Sequence, residues 1–192
     1  GVSIGGSYKA EKNEYILFMG WQCPEGQHWR GDIGRLLLKN KISELALDPS
    51  IPFITTDEED PVSLSYPYVI FENGIYKMWY GTTIDWSSEN GEMIHVIKYA
   101  ESKDGVNWNK KGLAIPYEIG KAQAFSRPAL LVKDGAYHMW YSYRSGDGSK
   151  YKIGYSVSND GIKWEPDNLN SGINASEEGW DSEMVCYPFV FT

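Results

Sequence analysis

Two stretches of this chain are near copies of each other, set 61 residues apart. Ser65-Tyr66-Pro67-Tyr68-Val69-Ile70-Phe71-Glu72-Asn73-Gly74-Ile75-Tyr76-Lys77-Met78-Trp79-Tyr80 is an apolar run, an Asn-Gly dipeptide and an aromatic run. Ser126 to Tyr141 repeats the plan with Asp134-Gly135 as its dipeptide, and Tyr137 minus Tyr76 is 61. Tyr15-Ile16-Leu17-Phe18-Met19-Gly20-Trp21 is a weaker copy, because Tyr76 minus Tyr15 is also 61. Cys186-Tyr187-Pro188-Phe189-Val190-Phe191 opens a fourth, with Pro188 minus Pro128 equal to 60.

A second motif rides on the same period. Tyr99-Ala100-Glu101-Ser102-Lys103-Asp104-Gly105-Val106-Asn107-Trp108 matches Tyr155-Ser156-Val157-Ser158-Asn159-Asp160-Gly161-Ile162-Lys163-Trp164. Asx-Gly between alternating apolar runs signals a hairpin, since a two-residue primed turn needs φ > 0. Two hairpins per unit give four strands, and a repeating four-stranded unit is a propeller blade. The expected fold is all-β: antiparallel four-stranded blades, about three of them plus one extra strand. The repeats are placed at 1–52, 65–112 and 126–168, with 180–192 opening a further blade of one propeller segment.

The expected strands are Ser3–Ala10 and Tyr15–Trp21 in the first unit, with Ile33 to Leu38 heading its second hairpin. In the second they are Tyr68–Glu72, Tyr76–Gly81, His95–Ser102 and Asn107–Lys111. In the third they are Ala129–Val132, Ala136–Tyr143, Lys152–Ser158 and Ile162–Trp164. No long stretch shows a helical period. Trp79, Trp108, Trp140 and Trp164 hold equivalent positions and read as structural fillers. The acidic run Thr56-Asp57-Glu58-Glu59-Asp60-Pro61 lacks the alternation of a calcium loop and reads as a solvated connection.

A net charge of −8 argues against nucleic acid, whose affinity comes mainly from phosphate neutralisation. No apolar window is long enough to span a membrane. Cys23 and Cys186 form no CxxC, so no metal site and no cofactor is expected. Two reduced, buried thiols lean toward the cytoplasm.

Strand direction locates a functional face. If the innermost strand runs down a central channel, both Asx-Gly turns lie at the bottom. The top then collects the strand entries at Tyr66, Arg127 and Tyr187, and the loops 21–32, 82–94 and 143–150. These segments hold Trp21, Asp85, Trp86, Arg144, Trp180, Asp181 and Glu183. Aromatic faces, a forked guanidinium and carboxylates suit a sugar, and paired carboxylates can cleave a glycosidic bond. Asp181 and Glu183, two apart in an extended segment, are expected to point the same way. Glu183 is then the candidate acid and Asp181 its modulator. Arg127, Trp180, Trp86, Asp85, Tyr66, Arg144 and Trp21 are the candidate binding residues. His95 reads as a structural histidine.

The combination of Arg-Pro or Tyr-Pro, apolar strand, Asx-Gly, Tyr-x-Met-Trp-Tyr and Tyr-x-x-Ser-x-Asp-Gly-x-x-Trp resembles the five-bladed propellers of glycoside hydrolase families 43, 32 and 68. It is especially similar to the uncharacterised bacterial proteins grouped beside them. The resemblance implies a carbohydrate ligand, acted on by a glycoside hydrolase-like protein or bound by a non-catalytic or inactive propeller. Those families use an Asp on the first blade, an Asp in an Arg-Asp-Pro and a Glu shortly before a Pro. Here the Arg-Asp-Pro counterpart is Ser126-Arg127-Pro128, and Glu183 stands five before Pro188. Three units leave a propeller open, so the expectation is either a homodimer that closes it or a longer natural chain.

Overall fold

The computed structural model describes residues 1–39, 44–48, 53–146 and 150–191. The expected boundary at Pro52, the middle of the loop 143–150 and Thr192 lie outside them. The described residues form strands, one short 3-10 turn and loops, and the chain divides into two compact units. No described helix is long and apolar enough to cross a membrane.

The first unit comprises Gly1–Thr82 and Lys98–Gly112. In it β1 (Val2–Ala10), β2 (Asn13–Gln22), β3 (Arg30–Leu38) and β4 (Leu45–Leu47) form an antiparallel sheet in chain order. The strands β5 (Ser63–Glu72), β6 (Ile75–Asp85), β7 (Ile94–Ser102) and β8 (Asn109–Leu113) follow, each beside the next. Both parts of the period-two pattern are visible: Tyr15, Leu17 and Met19 are buried, while Ile16, Phe18 and Gly20 between them are half-buried. Tyr8, Tyr15, Phe53, Tyr76, Met78 and Tyr80 build the core.

Two charges are buried among the described residues of this unit. Arg35 bonds Asp48 at 2.7 Å, donates to the Tyr8 hydroxyl at 2.7 Å and to the Gly105 carbonyl, and lies 4.0 Å over the Tyr15 ring. Asp60 is the second, and it corrects the reading of 56–61 as solvated. Its side chain is fully buried, with Lys98 at 2.9 Å, Lys110 at 2.5 Å and the Tyr80 hydroxyl donating at 2.9 Å. The neighbouring Asp57 binds Lys110 at 2.6 Å and accepts the backbone N–H groups of Glu59 and Asp60. Acidity of composition said nothing of partners 38 and 50 residues further on.

The second unit comprises Thr83–Ile97 and Leu113–Thr192. Its antiparallel strands β9 (Ala124–Lys133), β10 (Ala136–Arg144), β11 (Lys152–Ser158) and β12 (Glu165–Pro166) are neighbours in chain order. Asp134 (φ 52°) and Gly135 (φ 80°) make the primed turn between β9 and β10, as Asn73 (φ 51°) and Gly74 (φ 79°) do between β5 and β6. His95 pairs in parallel with Ala124, and its backbone N–H donates to the Gln123 carbonyl.

The other Asp-Gly boxes turn differently. Gly105 and Gly161 have positive φ, but Asp104 and Asp160 do not. Asp160 instead accepts the N–H groups of Ile162 and Lys163, and Ser158 Oγ accepts that of Gly161. The expected strand Ile162–Trp164 is therefore turn, closed by the Trp164 indole donating to the Gly161 carbonyl at 3.0 Å. Asp104 likewise accepts from the N–H groups of Asn107 and Val106 and from the Asn107 side chain, which holds its carboxyl well below the usual range. Asp104→Ala is expected to lower stability by about 0.5–2 kcal/mol, as loss of a side-chain cap does, read as a shift in urea midpoint.

The segment expected as a fourth innermost strand, Cys186 to Phe191, forms no strand. Phe189 and Phe191 within it are 68% and 81% exposed. The thiols also differ from expectation, since Cys23 is exposed and Cys186 half-buried, both free.

Candidate functional site

Among the described residues, six other than glycine have positive φ. Glu11, Asn73 and Asp134 sit in hairpin turns; Tyr66 (44°), Arg127 (50°) and Tyr187 (59°) each precede a proline. That conformation is sterically costly for a side chain with a Cβ, and a following proline restricts it further. At Arg127 the cause is a bulge. Trp140 pairs with Ala129 and Ser142 with Ser126, so Arg127 and Pro128 together face Tyr141. A bulge re-aims side chains, and such strain gathers where function needs it.

On the second unit the re-aimed Arg127 meets the C-terminal segment. Its guanidinium lies 5.7 Å from the Tyr187 ring centroid. The Tyr187 N–H donates to Ser142 Oγ at 2.6 Å, and the Val185 N–H to the Tyr151 carbonyl at 3.3 Å. The Tyr187 ring approaches Tyr151 at 6.5 Å, and Arg144 stands 4.9 Å over Tyr151 while binding Glu92 at 3.1 Å. A line of contacts thus runs from Arg127 through Tyr187, Tyr151 and Arg144 to Glu92. Burial pushes the Tyr151 hydroxyl up, and it pushes the Cys186 thiol up against the opposing pull of Arg127.

The same segment borders a cleft of about 530 Å³ lined by Trp140, Ile173, Trp180, Asp181, Cys186 and Tyr187, among others. Trp180 is 96% exposed. Asp181 and Glu183 do not share an extended stretch. Gly179 (φ 108°) starts a turn there, and the two carboxylates take different partners. Asp181 accepts from Ser176 Oγ at 2.8 Å. Glu183 is ion-paired with Lys150 at 2.7 Å, which holds its carboxyl below the usual range.

Asp85 caps the Ser87 N–H at 2.9 Å and Trp86 is half-buried beside it. Their loop is tied down by Gln123, a fully buried side chain. Its Oε1 accepts from Asn90 at 2.6 Å and from the Gly120 N–H, and its Nε2 donates to Ser88 and Asn90. His95 is buried too, and burial pushes its pKa down to about 4, against the Phe125 carbonyl bonded to Nδ1 at 2.5 Å. That is a neutral structural histidine. Tyr66 and Trp21 belong to the first unit, where Trp21 lines a separate cleft with Arg30, Asp32 and Thr56.

The structure therefore groups Trp180 with Asp181, and Arg127 with Tyr187, on one unit. Sequence reasoning missed Tyr151, Glu92 and Gln123; no repeat marks them, and a glutamine's burial is invisible without its partners. No group of three or more His, Cys, Asp or Glu among the described residues could hold a metal ion.

These antiparallel sheets are those of a β-propeller of the glycoside hydrolase type. The chain is 36% identical over 192 residues, its whole length, to 63% of an uncharacterized protein of Mycobacterium tuberculosis. It thus spans about two-thirds or less of the curated relatives it matches. It is 24% identical over 151 residues, 75% of its length, to 49% of a 1,2-beta-oligomannan phosphorylase of Thermoanaerobacter. A solved member of the GH130 family of mannoside phosphorylases, a family containing glycoside hydrolases that target beta-1,2 mannosidic linkages in Candida mannan, aligns with TM-score 0.62 at 17% identity. That match covers 93% of this chain and 53% of that one. A glycosyl hydrolase from Bacteroides ovatus aligns with TM-score 0.61 at 16% identity over the same shares. No family model matches the chain.

Proposed function

We propose that this chain is a carbohydrate-active protein whose sugar site is the Arg127–Tyr187–Trp180 region. The observation that carries the reading is the strained bulge at Arg127, which holds a forked donor against an aromatic ring. Exposed Trp180 supplies a face on which sugar C–H groups can stack. The fold of solved glycoside hydrolases and the mannan-directed relatives support the substrate class.

Recognition is the role the geometry favours for the carboxylates. Lys150 keeps Glu183 ionised, which suits an acceptor of sugar hydroxyls and opposes a general acid. A hydrolase or phosphorylase role for Glu183, with Asp181 as modulator, is the second reading, and it requires ligand to displace Lys150. The test is Glu183→Gln against a panel of oligosaccharides, β-1,2-linked mannosides included. A binder loses affinity severalfold and has no turnover to lose. An enzyme keeps most affinity and loses turnover by about 10²–10⁴-fold, the range of acid–base catalysis. No binding of any oligosaccharide by the unmodified chain would end both readings.

A homodimer that closes the propeller is proposed on separate grounds. Val2, Ile4 and Leu47 of the first sheet are 71%, 57% and 62% exposed, surface that a second copy would cover. Sedimentation showing a stable monomer removes it.

A further inference from the structure

We propose that Arg127 receives an oxyanion, either the carboxylate of an acidic sugar or inorganic phosphate. The inference rests on the carbohydrate reading and names the ligand chemistry at that site. The chain has four arginines, and three are matched to a carboxylate. Arg30 lies 4.0 Å from Asp32, Arg35 2.7 Å from Asp48 and Arg144 3.1 Å from Glu92. Arg127 has no hydrogen-bond acceptor and no ion pair among the described residues; its one ring contact is Tyr187.

This is not for lack of acids. The chain carries 26 acidic side chains against 18 basic ones. The carboxylates of the same stretch are committed elsewhere, Asp181 to Ser176, Glu183 to Lys150 and Glu92 to Arg144. Its chain neighbour Ser126 is only 5% exposed, and its hydroxyl is buried without a partner. The strand entry therefore leaves the half-buried Arg127 guanidinium without an acceptor among the described residues, next in the chain to the buried, unpartnered hydroxyl of Ser126. A buried polar group without a partner is costly, and a planar fork of donors matches carboxylate or phosphate oxygens two at a time. Tyr187 on one side of the guanidinium leaves its N–H edge as the surface for that contact.

The test is calorimetric titration of the full chain with glucuronate, glucose and inorganic phosphate, for the unmodified protein, Arg127→Gln and Arg127→Lys. The unmodified chain is expected to bind glucuronate or phosphate at least about tenfold more tightly than glucose, the worth of one charge-assisted pair. Preference for glucuronate assigns an acidic sugar, and binding of phosphate assigns a phosphate-using site. Arg127→Gln abolishes the preference, while Arg127→Lys keeps part of it. Thermal melting of each variant reports folding, and the lysine variant carries the test if glutamine fails to fold. Equal binding of glucose and glucuronate with no phosphate binding overturns the inference and leaves the carbohydrate reading standing. Phosphate binding with no affinity for any sugar does the reverse. An Arg127→Gln protein with the full preference also overturns it.

Discussion

Asp60→Asn is expected to destabilise the first unit by about 3–5 kcal/mol, the cost of breaking one side of a buried ion pair. The asparagine has nearly the same shape, so packing changes little. What changes is that Lys98 and Lys110, with side chains 12% and 11% exposed, face a neutral group. Tyr80 also loses the carboxylate it donates to, although its burial and that same carboxylate now keep its hydroxyl protonated. Chemical unfolding reads the loss directly. A cost below about 1 kcal/mol, the level of an exposed pair, would show that Asp60 is not the hub described.

The same group sets an acid limit. Burial would raise the Asp60 pKa, but Lys110, Lys98 and the Tyr80 hydroxyl outweigh it and lower it. A carboxylate with a depressed folded pKa contributes stability above its unfolded value, and that stability is lost as pH falls through the folded one. The unmodified protein is expected to weaken below about pH 4, the unfolded aspartate value. Asp60→Asn, already without the charge, weakens less over that window.

Much of the fold was legible because the repeat stated it three times. The two-residue turns at Asn73-Gly74 and Asp134-Gly135 and the alternation along β2 are local facts, fixed by φ and by the pleat. The Asp104 and Asp160 boxes looked like the same turn, but a Ser and an Asp side chain captured the backbone N–H groups first. Burial of Asp60 depends on lysines far along the chain, and no local pattern reports it. The site divides in the same way. Arg127 before a proline was visible as a strand entry, whereas its lack of a carboxylate partner among the described residues is a property of everything around it. Asp181 and Glu183 were read two apart along a strand, and Gly179 turned that strand into a corner.

Trp79 and Trp140 occupy one repeat position, and truncating them is expected to have unequal effects. Trp79 is fully buried, with Tyr99 at 5.3 Å between ring centroids. Trp79→Ala is expected to cost about 3–5 kcal/mol, the range for removing a large core aromatic. Trp140 makes the matching contact with Tyr155 at 4.9 Å, and its indole donates to the Ser171 carbonyl at 3.0 Å. Yet Trp140 is half-buried, and it forms one wall of the cleft that also holds Trp180 and Tyr187. With less surface removed from water, Trp140→Ala should cost no more than about half as much, since burial scales with area. Sugar affinity should separate the pair in the opposite sense, falling for Trp140→Ala and holding for folded Trp79→Ala. Equal destabilisation with unchanged affinity in both would make Trp140 another core filler, and would take the cleft beside it out of the proposed site.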